Sequence, residues 1–142
     1  MILVFDMDNT LVDELGSSVR PGIIHLLKKL KSEGHELKLW TNSKKDRAKT
    51  ILSELHLKEY FRDCIFREDY DPDDKGIKKD IRKINGDLLI DDDPLEIQFT
   101  ESIGRFGFHI TPFRKGMKEN QKELDDLYLL IRKRNSFFGK LF

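Results

Sequence analysis

Ile2-Leu3-Val4-Phe5-Asp6-Met7-Asp8-Asn9-Thr10 joins a run of four apolar residues to a pair of carboxylates. Four apolar residues in succession predict a strand buried on both faces, the kind found in parallel sheets. Asp6 and Asp8 then stand where that strand ends, and in an open α/β sheet ligands bind at that edge. A sharp turn after Phe5 would bring both carboxylates onto one cation or one phosphoryl group, a spacing that suits a nucleophile with an acid/base partner. Strands also commonly end in polar turn residues, so the pair gains weight only from three features further along the chain. Thr41 comes after the apolar pair Leu39-Trp40, Lys78-Lys79-Asp80 opens or sits within a helical stretch, and Leu88-Leu89-Ile90 runs into Asp91-Asp92-Asp93-Pro94.

Working outward, apolar runs and helical periodicities alternate. Ile23, Leu26, Leu27 and Leu30 recur at helical spacing after Pro21 and before Gly34, which predicts an amphipathic helix. Residues 36 to 41 read as a parallel strand. A second helix comes next, with Asn42 or Ser43 as N-cap and Ala48, Ile51, Leu52 and Leu55 on its buried face. Residues 62 to 67 read as a third strand, Lys75 to Ile84 as a short helix, Asp87 to Asp91 as a fourth strand and Gly104 to Ile110 as a fifth. Residues 116–134 read as a last helix through Leu124, Leu127, Tyr128 and Ile131. The expected fold is α/β: a three-layer α/β/α sandwich around a mostly parallel, five-stranded, Rossmann-like sheet.

Composition agrees with one domain over residues 1–142. At 142 residues the chain is long enough for one core and too short for two. Its 38% apolar content argues against disorder, and 37% charged residues imply a heavily solvated surface. With 26 basic against 26 acidic residues there is no global field favouring nucleic acid or anionic membrane. The single cysteine, Cys64, excludes an internal disulfide and any multi-cysteine zinc site, and reads as a buried small hydrophobe beside Ile65 and Phe66. Asp6 cuts the first apolar run too short for a signal-peptide core. No run approaches the roughly 20 residues of a membrane span, so a cytoplasmic protein is expected. The tail, residues 135–142, sets Phe137, Phe138, Leu141 and Phe142 beside Arg132-Lys133-Arg134. It suits docking on a second copy of the chain, contact with an anionic membrane surface or folding back on the core.

Four of these features together, Asp6-x-Asp8-x-Thr10-Leu11, Thr41 after a strand, Lys79-Asp80, and a strand ending at Asp91-Asp92, resemble the haloacid dehalogenase superfamily of aspartate-nucleophile phosphatases over roughly residues 1 to 112. Arg20-Pro21-Gly22 and Lys79-Asp80-Ile81 look like the branch that holds the RNA polymerase C-terminal-domain phosphatases and the small magnesium-dependent phosphatases. The C-terminal-domain phosphatases usually read Asp-Asn-Ser-Pro where this chain has Asp91-Asp92-Asp93-Pro94, so their phosphoprotein specificity does not carry over. The resemblance implies a magnesium-dependent phosphomonoester hydrolase with Asp6 as nucleophile, forming an aspartyl phosphate, and Asp8 as general acid and then base. It implies Thr41 and the N–H of Asn42 on a phosphoryl oxygen and Lys79 neutralising charge. Magnesium would take Asp6, the Asp8 carbonyl and Asp92, with Asp91 orienting the site from behind.

Several residues have plainer readings. Lys78 is adjacent to Lys79 and competes for the same role, although Asp80-Ile81 favours Lys79. Asp93 reads as a turn or cap residue, Asp13 as a shaper of the turn after Thr10, and Ser43 as a helix cap. Asp69-Tyr70-Asp71-Pro72-Asp73-Asp74 reads as a solvated turn before a helix. His25, His35, His56 and His109 lack metal-ligand spacing. A receiver-like phospho-acceptor domain needs about a hundred residues after its acidic cluster, more than remain after Asp93. An inactive, phosphate-binding interaction module is the other alternative. Only ten residues separate Thr10 from Pro21, and one helix, a strand and a loop fill Ser43 to Lys79, so no cap domain is expected. An open site suits a phosphate on a bulky partner, a protein side chain or a nucleic-acid end, but capless relatives that oligomerise also enclose small metabolites, which leaves both a macromolecular and a small phosphorylated substrate open.

Overall fold

The computed structural model describes the backbone of residues 1–141 and the side chains of residues 1–136. The elements run β1 (Ile2–Phe5), α1 (Ile23–Ser32), β2 (Glu36–Trp40), α2 (Lys45–Glu54), β3 (Asp63–Ile65), α3 (Arg67–Tyr70), β4 (Leu88–Asp91), α4 (Pro94–Ser102), β5 (Phe106–His109) and α5 (Gln121–Leu141). The five strands form one sheet in the order β3-β2-β1-β4-β5, and every pairing is parallel. The α/β fold expected from the sequence is the fold observed, with no cap domain among the described residues. Among the described residues no helix is long and apolar enough to cross a membrane.

Alternation along the strands divides the core into two layers. Leu3, Phe5, Leu37, Leu39, Leu88 and Ile90 face the layer formed by α1, α2 and α5, where Leu27, Leu30, Leu52, Leu124 and Ile131 are buried. Val4, Trp40 and Leu89 face the other layer and pack with Ile81 and Ile97. β1 lies between β2 and β4, so the chain reverses direction across the sheet at the strand carrying the acidic pair. That reversal opens a crevice at the carboxyl ends of β1 and β4.

Several local expectations are corrected. No helix spans Lys75 to Ile84: the chain is irregular to Asp80, and only Ile81–Ile84 makes a single 3-10 turn. The reason is Asp71, which is buried rather than solvated and accepts the N–H groups of Lys75, Gly76 and Ile77 at 2.8, 3.0 and 3.1 Å. Neither Asn42 nor Ser43 caps α2. Lys44 occupies the cap without a side-chain bond, and the Glu68 carboxylate from α3 accepts the N–H of Lys45 at 3.0 and 3.2 Å. Cys64 is half-buried rather than buried. Residues 116–120 precede the last helix, which starts at Gln121 and continues to Leu141. The apolar side chains expected to form a tail, from Phe137 onward, lie outside the described side chains.

The segment between β1 and α1 is pinned by Asp13, whose carboxylate accepts the N–H of Leu15 and both the N–H and hydroxyl of Ser17, at 3.0, 2.9 and 2.7 Å, as well as the Ser18 hydroxyl. Burial pushes the Asp13 carboxyl up, but these donors outweigh it and hold the group well below the usual carboxylate range. A group whose pKa is lower folded than unfolded stabilises above about pH 4 and loses that contribution as acid protonates it. Asp13→Ala is therefore expected to lower unfolding stability by about 2–4 kcal/mol near pH 7. Urea midpoints should show the gap from wild type narrowing at pH 3; an equal gap at both pH values would contradict the role given to the carboxylate.

Candidate active site

Because residues alternate along a strand, Asp6 extends β1 on the face of Val4, and Asp91 ends β4 on the face of Leu89. The segment that covers this face delivers Lys79 two residues before Ile81. Its Nζ lies 2.9 Å from Asp6 Oδ1 and 2.7 Å from Asp91 Oδ2, and all three side chains are buried. Burial pushes the carboxyls of Asp6 and Asp91 up to about 6, although Lys79 pulls the other way. For Lys79 burial opposes the charge, but the two carboxylates outweigh it and keep the amine protonated above the ordinary lysine range. Lys78 does not reach the pair; its Nζ is 3.7 Å from Glu96 Oε1. Glu96 carries no signal in the sequence, yet its other oxygen accepts the backbone N–H of Lys79 at 2.9 Å and fixes where that lysine enters.

The remaining acidic residues border the same space. Asp92 is half-buried, and the Thr10 hydroxyl lies between Asp6 Oδ2 at 3.1 Å and Asp92 Oδ1 at 3.4 Å. One carboxylate oxygen from each of Asp6, Asp91 and Asp92 falls within 4.8 Å of the others. Asp91 is the more occupied of the last two, since its Oδ1 accepts the N–H of Asp93 at 2.9 Å while Lys79 holds Oδ2. Asp93 accepts the N–H of Leu95 at 2.9 Å and caps α4, as its position before Pro94 predicts. Oxygen donors with one ammonium among three carboxylates leave excess negative charge, which fits a hard divalent cation.

The opposite wall comes from the end of β2 and the start of α2. Thr41 is buried, and its hydroxyl accepts the N–H of Ser43 at 3.0 Å. The side chain of Asn42 is exposed and turns to Arg67, whose Nε donates to its Oδ1 at 3.2 Å. Arg47, which no sequence motif singles out, grips Asp8: Nη1 and Nη2 donate to Oδ2 and Oδ1 at 3.0 and 2.9 Å. Its only sequence signal is its place four residues after Ser43, one helical turn along the face that borders the site. His109 also falls near the site, with Nε2 3.0 Å from the carbonyl oxygen of Asp92. Asp6, Asp8, Thr41, Asn42, Lys79, Asp91 and Asp92 all line one cleft of about 720 Å³.

The fold is shared with proteins of known structure. A hydrolase from Streptococcus pneumoniae TIGR4 superposes with a TM-score of 0.63 at 14% identity, over 79% of this chain and 93% of that one. A putative beta-phosphoglucomutase from Thermotoga maritima gives 0.60 at 16% identity, over 80% and 88%. A variant of the fission yeast RNA polymerase II CTD phosphatase Fcp1 bound to beryllium fluoride gives 0.61 at 17% identity, over 99% of this chain but 56% of that one. At such identities the likeness speaks to the fold alone. No curated protein sequence matches the chain. The sequence pattern of the NLI interacting factor-like phosphatases, however, matches residues 1–138, and on that match, nearly the whole of its length, this chain belongs to the NLI interacting factor-like phosphatase family.

Proposed function

We propose that this phosphatase hydrolyses phosphomonoesters with magnesium through an aspartyl phosphate on Asp6. The observation that carries the reading is Lys79 bridging Asp6 and Asp91 in a buried site at the mouth of an open cleft. Lys79 on Oδ1 and the Thr10 hydroxyl on Oδ2 fix the plane of the Asp6 carboxylate, which then attacks phosphorus. As the bond from phosphorus to the leaving oxygen breaks, Asp8 gives that oxygen a proton. Asp8 next takes a proton from the water that attacks the aspartyl phosphate, freeing inorganic phosphate and restoring Asp6.

Thr41 and the N–H of Asn42 are assigned to a phosphoryl oxygen, and Lys79 to the charge beside Asp6. Asp6, Asp92 and the Asp8 carbonyl would hold magnesium, with Asp91, already engaged by Lys79 and Asp93, behind them. When bound, the ion supplies charge neutralisation on the phosphoryl oxygens. The open cleft supports a bulky phosphorylated substrate, a protein side chain or a nucleic-acid end, because remote contacts on a large substrate can supply transition-state binding.

Two outcomes test this reading. Since burial pushes the Asp6 carboxyl up to about 6, it keeps part of its proton near that pH and must release it to meet a cation. Magnesium binding should therefore release protons at pH 6, seen by calorimetry in buffers of different ionisation heat, and should tighten from pH 5 to pH 7. Chelator should abolish turnover of an aryl phosphate; full activity in excess EDTA would refute the metal assignment.

The second outcome separates the two carboxylates. Asp6→Asn should lose turnover by at least about a thousandfold while remaining folded, because the amide keeps an oxygen for the Lys79 ammonium, which stays paired with Asp91. Asp8→Asn keeps the nucleophile but lacks the base for the second step, so it should accumulate phosphoenzyme from a substrate with a good leaving group. Intact mass after rapid acid quench should show one added phosphoryl group on Asp8→Asn and none on Asp6→Asn. An adduct in the Asp6 variant would mean that the nucleophile is another residue.

A further inference from the structure

Arg47 has no part in the chemistry just proposed, yet it holds the residue assigned to move the protons. Its two terminal nitrogens take both oxygens of Asp8, at 3.0 and 2.9 Å. While the guanidinium fork holds both of its oxygens, Asp8 is not free to meet a leaving group, so the fork must be released before Asp8 can serve one. Three features suit it to leaving. The pair is partly exposed, at 43% for Arg47 and 27% for Asp8, and such a pair contributes at most about 1 kcal/mol, so another anion can replace Asp8. The Ser43 hydroxyl accepts from Arg47 Nη1 at 2.9 Å, which keeps the guanidinium on the cleft wall once Asp8 is released. Lys44 lines the same wall, and its ammonium has no partner among the described residues.

On the basis of the catalytic reading above, we propose that Arg47 is a specificity-determining latch. It holds Asp8 in the free enzyme and transfers to a second oxyanion on the substrate, so that phosphomonoesters carrying a further anionic group beside the scissile phosphate are preferred. The inner site binds the phosphoryl group; Arg47, aided by Lys44, reads the second charge. The guanidinium fork matches the paired oxygens of either a carboxylate or a phosphorus oxyanion.

The test uses three aryl phosphates that differ only in the para substituent: carboxylate, phosphonate or neutral carboxamide. Wild type is expected to show kcat/KM roughly tenfold higher for the anionic substrates, the worth of one charge-assisted pair. Arg47→Met should level the three while raising kcat on the carboxamide, because Asp8 is no longer held. Arg47→Lys should restore part of the preference. A preference that survives Arg47→Met, or an equal loss of kcat on all three substrates, would overturn the latch.

Binding gives a readout that needs no turnover. With magnesium present, calorimetry on benzylphosphonates bearing the same three groups should show wild type, but not Arg47→Met, favouring the charged compounds roughly tenfold. Equal binding by wild type would overturn the proposal. Wild type that hydrolyses none of the three phosphates would count against the catalytic reading, and the phosphonate binding would then decide the latch by itself.

Discussion

One lysine ammonium buried between two carboxylates is the constraint that the rest of this structure serves. Removing ions from water costs several kcal/mol for each even after relaxation, so Lys79, Asp6 and Asp91 are tolerable only as a hydrogen-bonded set. β1 and β4 are paired in parallel with Phe5 opposite Ile90, which brings their polar ends side by side. The lysine has to arrive from outside the sheet. The chain between α3 and β4 is therefore irregular: Asp71 ties its turn, Glu96 receives the N–H of Lys79, and Asp80 accepts the N–H of Arg82 at 3.2 Å to start the 3-10 turn that buries Ile81.

The other side of the site depends on a second buried cation. Arg20 is nearly inaccessible, and its guanidinium donates to the carbonyls of Thr10, Asn9 and Thr111, the first at 2.7 Å. Its Nη1 lies 3.6 Å from Glu123 on α5, and Glu123 also accepts the N–H and hydroxyl of Thr111 at 2.9 and 2.8 Å. A charged side chain thus links the turn bearing Asp8 and Thr10 to the loop after β5 and to the last helix. Asn9, at φ 64°, adopts the left-handed backbone that lets this turn close tightly after Asp8. The acidic pair is held from both sides, by Lys79 at the strand end and by Arg20 behind the turn.

How much of this is legible in the sequence depends on the range of each interaction. The apolar runs that become strands and the helical repeats of Ile23 to Leu30 and Leu124 to Ile131 reflect burial that each segment declares locally, so sheet and layers can be read directly. The convergence of Asp6, Thr41, Lys79 and Asp91 is legible as a resemblance, since the order of residue types along the chain is itself the signal. Arg47 and Glu96 are not, because a charged residue within a helix carries no mark of the group it meets from another segment. The segment from Lys75 to Asp80 misleads for a related reason: its charged residues are compatible with a helix, and only the buried carboxylate of Asp71 diverts their N–H groups.

The central claim is that the carboxylate held by Lys79 becomes covalently phosphorylated. The most direct measurement is borohydride reduction of enzyme quenched during turnover, followed by peptide mapping, because an acyl phosphate is reduced to the alcohol whereas a free carboxylate is not. The account predicts homoserine at position 6, dependent on both substrate and magnesium. Homoserine at position 8 or 91, or unmodified aspartate throughout under conditions of active turnover, would contradict it.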